Sequence, residues 1–261
     1  NTFQIFSASP RMWRASSPDP VDVKRLRAVR ERCDLAPLVI HTNYLANLAS
    51  LDPEIRDKSI RSFRGELDRA VAIGADYLVL HPGNYKDQSL EQGIAAFVLG
   101  LAAAADGFRP GGVSVLLENT VGSLNQIGSR FEELRMIRDL AIRETEVPIG
   151  YCLDTCHLLA SGFDIANAAG LEKTLASAER VLGLDLVKVI HSNDSKGALG
   201  SHLDRHENIG KGKIGEDGFR RILTHPALRG KPFILETPVE DDDAARADIN
   251  ALKRLSGTAT K

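Results

Sequence analysis

The sequence predicts an α/β protein, a TIM barrel of the (β/α)8 type. Six short aliphatic runs recur at intervals of 36 to 45 residues, and each ends on a residue that can bind a metal ion. Helical patterns fill the intervals, as in a parallel sheet covered by helices. An open doubly wound sheet shares this alternation, but only a closed barrel brings six consecutive strand ends around one centre.

Seven strands are predicted in chain order. The first is TFQIF at 2–6, and the others are PLVIH ending at His41, YLVLH at His81, VSVLLE at Glu118, IGYCLD at Asp154, LVKVIH at His191 and PFILE at Glu236. Their β-branched and aliphatic residues are typical of buried strands. Apolar spacing predicts helices over 54–73 and 90–105, and a last helix over 241–255.

Seven strands are one fewer than a closed barrel of this type contains. Because the last helix looks complete, we expect the chain to lack the first β/α unit at the N-terminus. No change in composition marks a linker, so residues 1–261 are expected to form a single catalytic domain.

Composition narrows the class of protein. Hydrophobic residues make up 43% of the chain, and no apolar run approaches the ~18 residues that span a membrane. The formal net charge of −2 means that any affinity for nucleic acid must come from local patches or bound metal. Three cysteines are too few for a disulfide framework and indicate a reducing compartment, so we expect a cytoplasmic protein.

The potential metal ligands are more numerous than one ion needs. Nine residues stand at strand ends or close behind them: His41, His81, Glu118, Asp154, His157, His191, Asp204, His206 and Glu236. One divalent ion takes about four ligands, so nine indicate about three ions if one carboxylate is shared. Imidazole and carboxylate ligands favour zinc or manganese.

Other potential ligands have a simpler interpretation. A single histidine at a strand end is more often a hydrogen-bonded core or surface residue, but six ligand residues in register favour a common site. His202 and His225 lack such a setting and are expected at the surface. Cys152 and Cys156 flank Asp154; thiolate ligation is one interpretation, and apolar packing is favoured because carboxylates and histidines already satisfy the metals.

At these residues the chain resembles the endonuclease IV family of apurinic/apyrimidinic (AP) endonucleases. The matching segments are HTNYLANLAS at 41–50, LHPGNY at 80–85, LLENTVG at 116–122, LDTCHLLASGFDI at 153–165, HSNDSKGALGSHLDRHENIGKGKIG at 191–215 and ILETP at 234–238. The resemblance implies a barrel that binds three zinc ions and hydrolyses the DNA backbone on the 5′ side of an abasic site in base excision repair. The expected products carry a 3′-hydroxyl and a 5′-deoxyribose phosphate.

The resemblance also assigns the nine ligands. One zinc would be held by His41, His81 and Glu118; a second by Glu118, Asp154, His191 and Glu236; and the third by His157, Asp204 and His206. Glu118 is therefore the expected catalytic residue, because it would hold the ions that activate the attacking water.

The expected partner is double-stranded DNA with an abasic site, bound by a monomer with no membrane contact. Tyr44 and Leu45 match residues that insert into the duplex, where they could fill the gap left by an extruded abasic site. The alternative to insertion into DNA is that these two residues form a first helical turn packed on the barrel. Arg11 matches an inserted arginine, and Lys211 and Lys213 lie on a glycine-rich backbone that can approach phosphates closely.

Two other functions stay open from the sequence. The first is a sugar isomerase or epimerase of the xylose isomerase-like barrel group, which needs one or two metals and leaves His157, Asp204 and His206 without a role. The second is a DNA-binding remnant that has lost activity, against which the intact ligand set argues.

Overall fold

The computed structural model of the protein describes residues 1–239 and 241–257. The strands in this part of the chain are β1 Phe3–Phe6, β2 Leu38–His41, β3 Tyr77–Leu80, β4 Ser114–Glu118, β5 Ile149–Asp154, β6 Val187–His191, β7 Asp194–Ser195, β8 His206–Glu207 and β9 Phe233–Ile234. The helices are α1 Pro20–Cys33, α2 Pro53–Ile73, α3 Leu90–Ala105, α4 Phe131–Glu144, α5 Thr155–Ala160, α6 Ala168–Val181, α7 Gly215–Thr224 and α8 Asp242–Leu255.

Seven strands share one sheet in the order β1-β2-β3-β4-β5-β6-β9. The pairings of β1 with β2, β2 with β3, β3 with β4 and β6 with β9 are parallel. At least one helix lies in each connection between consecutive strands of this sheet. This alternation confirms the predicted TIM-barrel fold class.

The chain divides into two compact units, which are described separately. The first contains Asn1–Glu118, Leu124–Gly128 and Glu132–Tyr151, and the second contains Asn119–Ser123, Ser129–Phe131 and the described residues from Cys152 onward. The single domain expected for residues 1–261 stays a prediction.

Helix α2 shows how local sequence builds the first unit. The Asp52 carboxylate accepts hydrogen bonds from the Glu54 and Ile55 amides at the start of the helix, and Pro53 occupies the first turn. Gly74, at φ +80°, ends the helix in the left-handed conformation that suits glycine. The predicted helix over 54–73 is thereby confirmed, and the helix buries Phe63, Leu67 and Ala70 in the core.

The second unit is built around β6 and the buried residues of its helices. In the parallel pair of β6 and β9, Ile190 lies opposite Phe233 and His191 opposite Ile234. Helices α6 and α7 bury apolar residues such as Leu171 and Phe219. This core places His191, the last residue of β6, at the carboxyl end of the sheet.

The predicted elements agree with the structure to within one or two residues. Helix α3 spans the predicted 90–105, and α8 begins at Asp242 within the predicted 241–255. Strand β3 ends one residue before His81, and β9 ends two residues before Glu236. In the described ranges, the helices are too short or too polar to cross a membrane.

Candidate metal centre

The first unit brings together His41, His81 and Glu118, which we call the first ligand set. His41 ends β2 and Glu118 ends β4, and they are 3% and 0% exposed. Glu118 Oε2 lies 3.2 Å from His41 Nε2 and 3.3 Å from His81 Nε2. One carboxylate oxygen thus faces two imidazole nitrogens in a largely buried position.

Hydrogen bonding fixes which nitrogen of His41 faces the carboxylate. His41 Nδ1 lies 2.7 Å from the carbonyl oxygen of Thr42. A carbonyl oxygen only accepts, so Nδ1 carries the hydrogen and the neutral ring presents the lone pair of Nε2 to Glu118. Two acceptors in contact repel each other unless a cation lies between them, either a proton or a metal ion.

The second unit contains the second ligand set, Asp154, His191 and Glu236. Asp154 ends β5, and His191 Nδ1 lies 3.2 Å from Glu236 Oε2. The side chain of Asn193 connects the two carboxylates: its amide group donates to Asp154 Oδ2 and, at 3.4 Å, to Glu236 Oε2. Its oxygen accepts from the Glu236 amide at 2.8 Å. Asn193 therefore orients both carboxylates of this set.

The third ligand set, also in the second unit, consists of Asp154, His157, Asp204 and His206. His157 Nε2 lies 3.3 Å from Asp204 Oδ1. His206 Nε2 lies 3.7 Å from both Asp204 Oδ1 and Asp154 Oδ2, and this buried atom has no hydrogen-bond partner in the described part of the chain. Such an atom, facing two carboxylates, is what a metal site requires.

Backbone carbonyls orient both histidines of the third set. His157 Nδ1 lies 2.9 Å from the Asn119 oxygen, and His206 Nδ1 lies 3.1 Å from the Glu236 oxygen. The same reasoning as for His41 leaves both Nε2 lone pairs directed at the carboxylates.

Local structure places the members of the third set. The Asp154 carboxylate accepts from the His157 amide at 2.8 Å and so caps α5, which fixes His157 one turn beyond the strand. His206 comes from β8, which pairs with β7 in an antiparallel register that sets it opposite Ser195. A short extended segment thus delivers His206 to this set.

The observed separations fit divalent metal ions. A tetrahedral zinc ion with bonds of about 2.0–2.1 Å holds neighbouring ligand atoms roughly 3.3–3.4 Å apart. The six histidine–carboxylate distances given above lie between 3.2 and 3.7 Å. The donors are imidazoles and carboxylates, which zinc accepts. All nine predicted ligand residues therefore lie in sets whose geometry fits this metal.

The remaining histidines and cysteines lie outside these sets in the described ranges. His202 Nδ1 is 2.6 Å from the Val121 oxygen, and His225 Nε2 is 3.2 Å from Glu172. Cys156 is buried and its thiol contacts the Arg205 carbonyl. Burial raises the pKa of this thiol to about 12, which agrees with the packing interpretation.

Tyr44 and Leu45 form a turn after β2, and the alternative of a helical turn is wrong. The Asn43 side chain accepts from the amides of Leu45 and Ala46, which holds the turn. Tyr44 is 63% exposed, and its ring centre lies 5.4 Å from that of Phe6. Leu45 is half-buried, so Tyr44 is the more accessible of the two.

The three cationic residues expected at DNA are all exposed. Arg11 follows β1, and Lys211 and Lys213 lie between β8 and α7. The structure does not test their contact with DNA, which stays a prediction.

Comparison with known proteins agrees with the site. A family model described as a xylose isomerase-like TIM barrel matches residues 1–255. The chain is 64% identical to a protein of Solibacter usitatus named "Probable endonuclease 4", over 98% of this chain and 89% of that protein. It superposes on the crystal structure of endonuclease IV from Thermus thermophilus with a TM-score of 0.85 and 35% identity, covering 99% of this chain and 90% of that one.

A xylose isomerase domain protein from Planctomyces limnophilus shares only the fold. Its TM-score is 0.65 at 18% identity, over 97% of this chain and 87% of that one. The 64% identity to an endonuclease 4 along nearly the whole chain therefore groups this chain with the endonucleases and not with the xylose isomerase domain proteins. The chain belongs to the endonuclease IV family.

Proposed function

We propose that this protein is a zinc-dependent endonuclease that hydrolyses the DNA phosphodiester on the 5′ side of abasic sites. The observation that carries the proposal is the third ligand set, with the buried, unpartnered Nε2 of His206 facing Asp154 and Asp204. A sugar isomerase with one or two metals has no use for this additional set. Membership of the endonuclease IV family supports the same activity.

The proposed cofactor is three zinc ions for each chain. The first ligand set would hold one ion, the second set another and the third set the remaining one. Glu118, in the first set, is the proposed catalytic residue. Bound zinc would supply the activation of water and the neutralisation of charge on the phosphodiester.

The protein's own groups prepare this chemistry. The carbonyls of Thr42, Asn119 and Glu236 hold three histidines through Nδ1, so that their Nε2 atoms face the carboxylates as potential ligands. Four carboxylates, Glu118, Asp154, Asp204 and Glu236, contribute −4 against +6 from three divalent ions. The balance of about +2 suits an anionic phosphodiester.

Duplex DNA with an abasic site is the proposed substrate. The exposed ring of Tyr44, with Leu45 beside it, is proposed to fill the gap in the base stack, and Arg11 to enter from the loop after β1. Lys211 and Lys213 are proposed to contact backbone phosphates. We further propose that the protein acts as a monomer in the cytoplasm, in agreement with its three free cysteines.

A nicking assay tests the proposal. A duplex oligonucleotide with one abasic site should be cut once, a matched duplex without the site should stay intact, and chelation of zinc should abolish the cut until zinc is restored. Turnover of ketoses or aldoses without nicking would show a sugar isomerase. Binding of abasic DNA without nicking by the zinc-loaded protein would show an inactive remnant.

A further inference from the structure

The buried carboxylate of Asp194 organises the glycine-rich segment 209–215, which we call the lysine loop. Asp194 is 0% exposed and lies in β7, directly after Asn193. Besides the amide of Ser195, its two oxygens accept backbone N–H groups of the loop, from Gly210 at 3.0 Å, Gly212 at 2.9 Å, Ile214 at 2.9 Å and Gly215 at 3.2 Å. Four amides of one loop thus converge on one side chain.

The remaining three amides of the loop are also bonded within the protein. Ile209 N donates to Asp248 Oδ1 at 3.0 Å. Lys211 N donates to the Asn208 oxygen at 3.0 Å, and Lys213 N donates to the Ser195 oxygen at 2.8 Å. Every backbone N–H from 210 to 215 therefore has a partner inside the chain. The glycine-rich backbone was expected to approach phosphates, but its N–H groups are already occupied, so the lysine side chains are the groups left to contact an anion.

The glycines of the loop are required by this arrangement. A Cβ atom on Gly212 would lie 2.5 Å from both Asp194 Oδ1 and the Ser195 oxygen, closer than real Cβ contacts allow. Gly210 and Gly215 have φ values of +82° and +70°, which side chains disfavour. The sequence thus permits the backbone to close around the carboxylate.

The position of the carboxylate also fits the start of α7. Ile214 and Gly215 stand at the N-terminus of that helix, where the helix residues offer no side-chain cap of their own. Asp194 accepts their amides and places a negative charge at the positive end of the helix dipole. Hydrogen bonds from several N–H groups to one carboxylate are strong, so the loop has one preferred conformation.

We propose that Asp194 is a positioning residue for DNA binding, because it fixes the backbone from which Lys211 and Lys213 reach phosphates. The inference rests on the proposed function and adds a residue to it. A preformed loop loses less conformational freedom on binding than a mobile one. The neighbouring Asn193 holds Asp154 and Glu236, so two consecutive residues set the positions of the second ligand set and of the lysine loop.

The test substitutes the carboxylate and measures the salt dependence of DNA binding. In Asp194→Asn, one oxygen becomes an NH2 group that faces amide donors, so the loop loses part of its anchor. The zinc-loaded variant, the wild type and the double variant Lys211→Ala/Lys213→Ala are compared by fluorescence anisotropy on the nicked abasic duplex, between 50 and 200 mM KCl.

Each phosphate contact accounts for about a 3.5-fold loss of affinity over this fourfold change in salt, from a slope of about −0.9 for each contact. If both lysines make a contact, the loss of affinity between 50 and 200 mM KCl should be about 12-fold smaller for the double variant than for the wild type. We expect Asp194→Asn to show the same reduced loss of affinity with salt and an unchanged zinc content. Combined with Lys211→Ala/Lys213→Ala, it should cause no further change in the salt dependence. A substitution that merely destabilises the fold would leave the slope unchanged.

Gly212→Ala serves if Asp194→Asn fails to fold, because its Cβ displaces the same contacts from the loop side. Gly230→Ala is the matched control, since nothing lies within 4 Å of its Cβ position. If the wild type nicks abasic DNA but a folded Asp194→Asn or Gly212→Ala protein keeps the wild-type salt slope, the inference is overturned and the proposed function stands. If the wild type itself fails to nick abasic DNA, the proposed function fails instead.

Discussion

Substitution of Asn193 by alanine should weaken zinc binding to the second ligand set without removing any ligand. The side chain donates to Asp154 Oδ2, reaches Glu236 Oε2 at 3.4 Å and accepts from the Glu236 amide at 2.8 Å. All three contacts are lost in Asn193→Ala, and both carboxylates become free to turn away from the geometry that suits a metal.

The magnitude follows from these contacts. A hydrogen bond to a buried carboxylate contributes about 1.5–3 kcal/mol, and Asp154 is fully buried. Loss of a partner that orients a metal ligand typically costs about 10–100-fold in metal affinity, or roughly 1.4–2.7 kcal/mol. The two estimates agree, so we expect one zinc ion for each chain to bind 10–100-fold more weakly.

Competition with a chromophoric zinc chelator measures this loss. The control is Asn250→Ala, which removes an exposed asparagine from α8. Zinc affinities of Asn193→Ala that equal those of the wild type at every site would refute the role given to this side chain.

Three further predictions concern the metal site and the core. His206→Ala should lower the zinc content by about one ion and remove most nicking; a variant that retains three ions by elemental analysis would contradict the third ligand set. Glu66→Ala leaves the buried Arg69 without the carboxylate that lies 3.0 Å away, so the free energy of unfolding in urea should fall by about 3–5 kcal/mol, and a loss below about 1 kcal/mol would contradict this. Tyr151→Phe should raise the free energy of unfolding by about 1–3 kcal/mol, because the buried hydroxyl has no hydrogen-bond partner in the described residues, and an unchanged value would contradict this. Burial also raises the pKa of Tyr151 to about 12, so the wild type should lose stability as the pH rises from about 10 to 12, where only the unfolded tyrosine ionises, and Tyr151→Phe should lack this loss.

The strands and helices could be predicted because their signals are local. Aliphatic runs mark β2, β4 and β6, and the carboxylate of Asp52 followed by proline marks the start of α2. The alternation of these elements then places the ligands at the carboxyl ends of the strands. His81 and Glu236 lie just beyond strand ends and still meet their partner ligands, because the register of the preceding strands fixes them.

The groups that orient the ligands could not be predicted, because they act across the chain. Asn193 contacts Asp154 from a position 39 residues away, and the Glu236 carbonyl orients His206 from 30 residues away. The sequence places asparagine beside the ligands in HSND and LLENT, but gives no distance from which to assign its role. The same holds for Asp194, whose carboxylate the sequence presents as one more acidic residue.

The turn at Tyr44 shows competition between two local signals. Helical spacing after His41 favours a first helical turn, whereas the side chain of Asn43 offers the following amides an acceptor outside a helix. The asparagine prevails, and Tyr44 is left exposed. Asn43 was the available signal for this outcome.

Mass spectrometry of the cleaved strand tests the proposed endonuclease activity, because it identifies the bond that is hydrolysed. The zinc-loaded protein is incubated with a duplex that carries one abasic site, and the two new ends are identified by mass. We expect hydrolysis on the 5′ side, with one fragment ending in a 3′-hydroxyl and the other beginning with a 5′-deoxyribose phosphate. A fragment with a 3′ unsaturated aldehyde, the product of β-elimination, or the absence of any cut, would contradict this expectation.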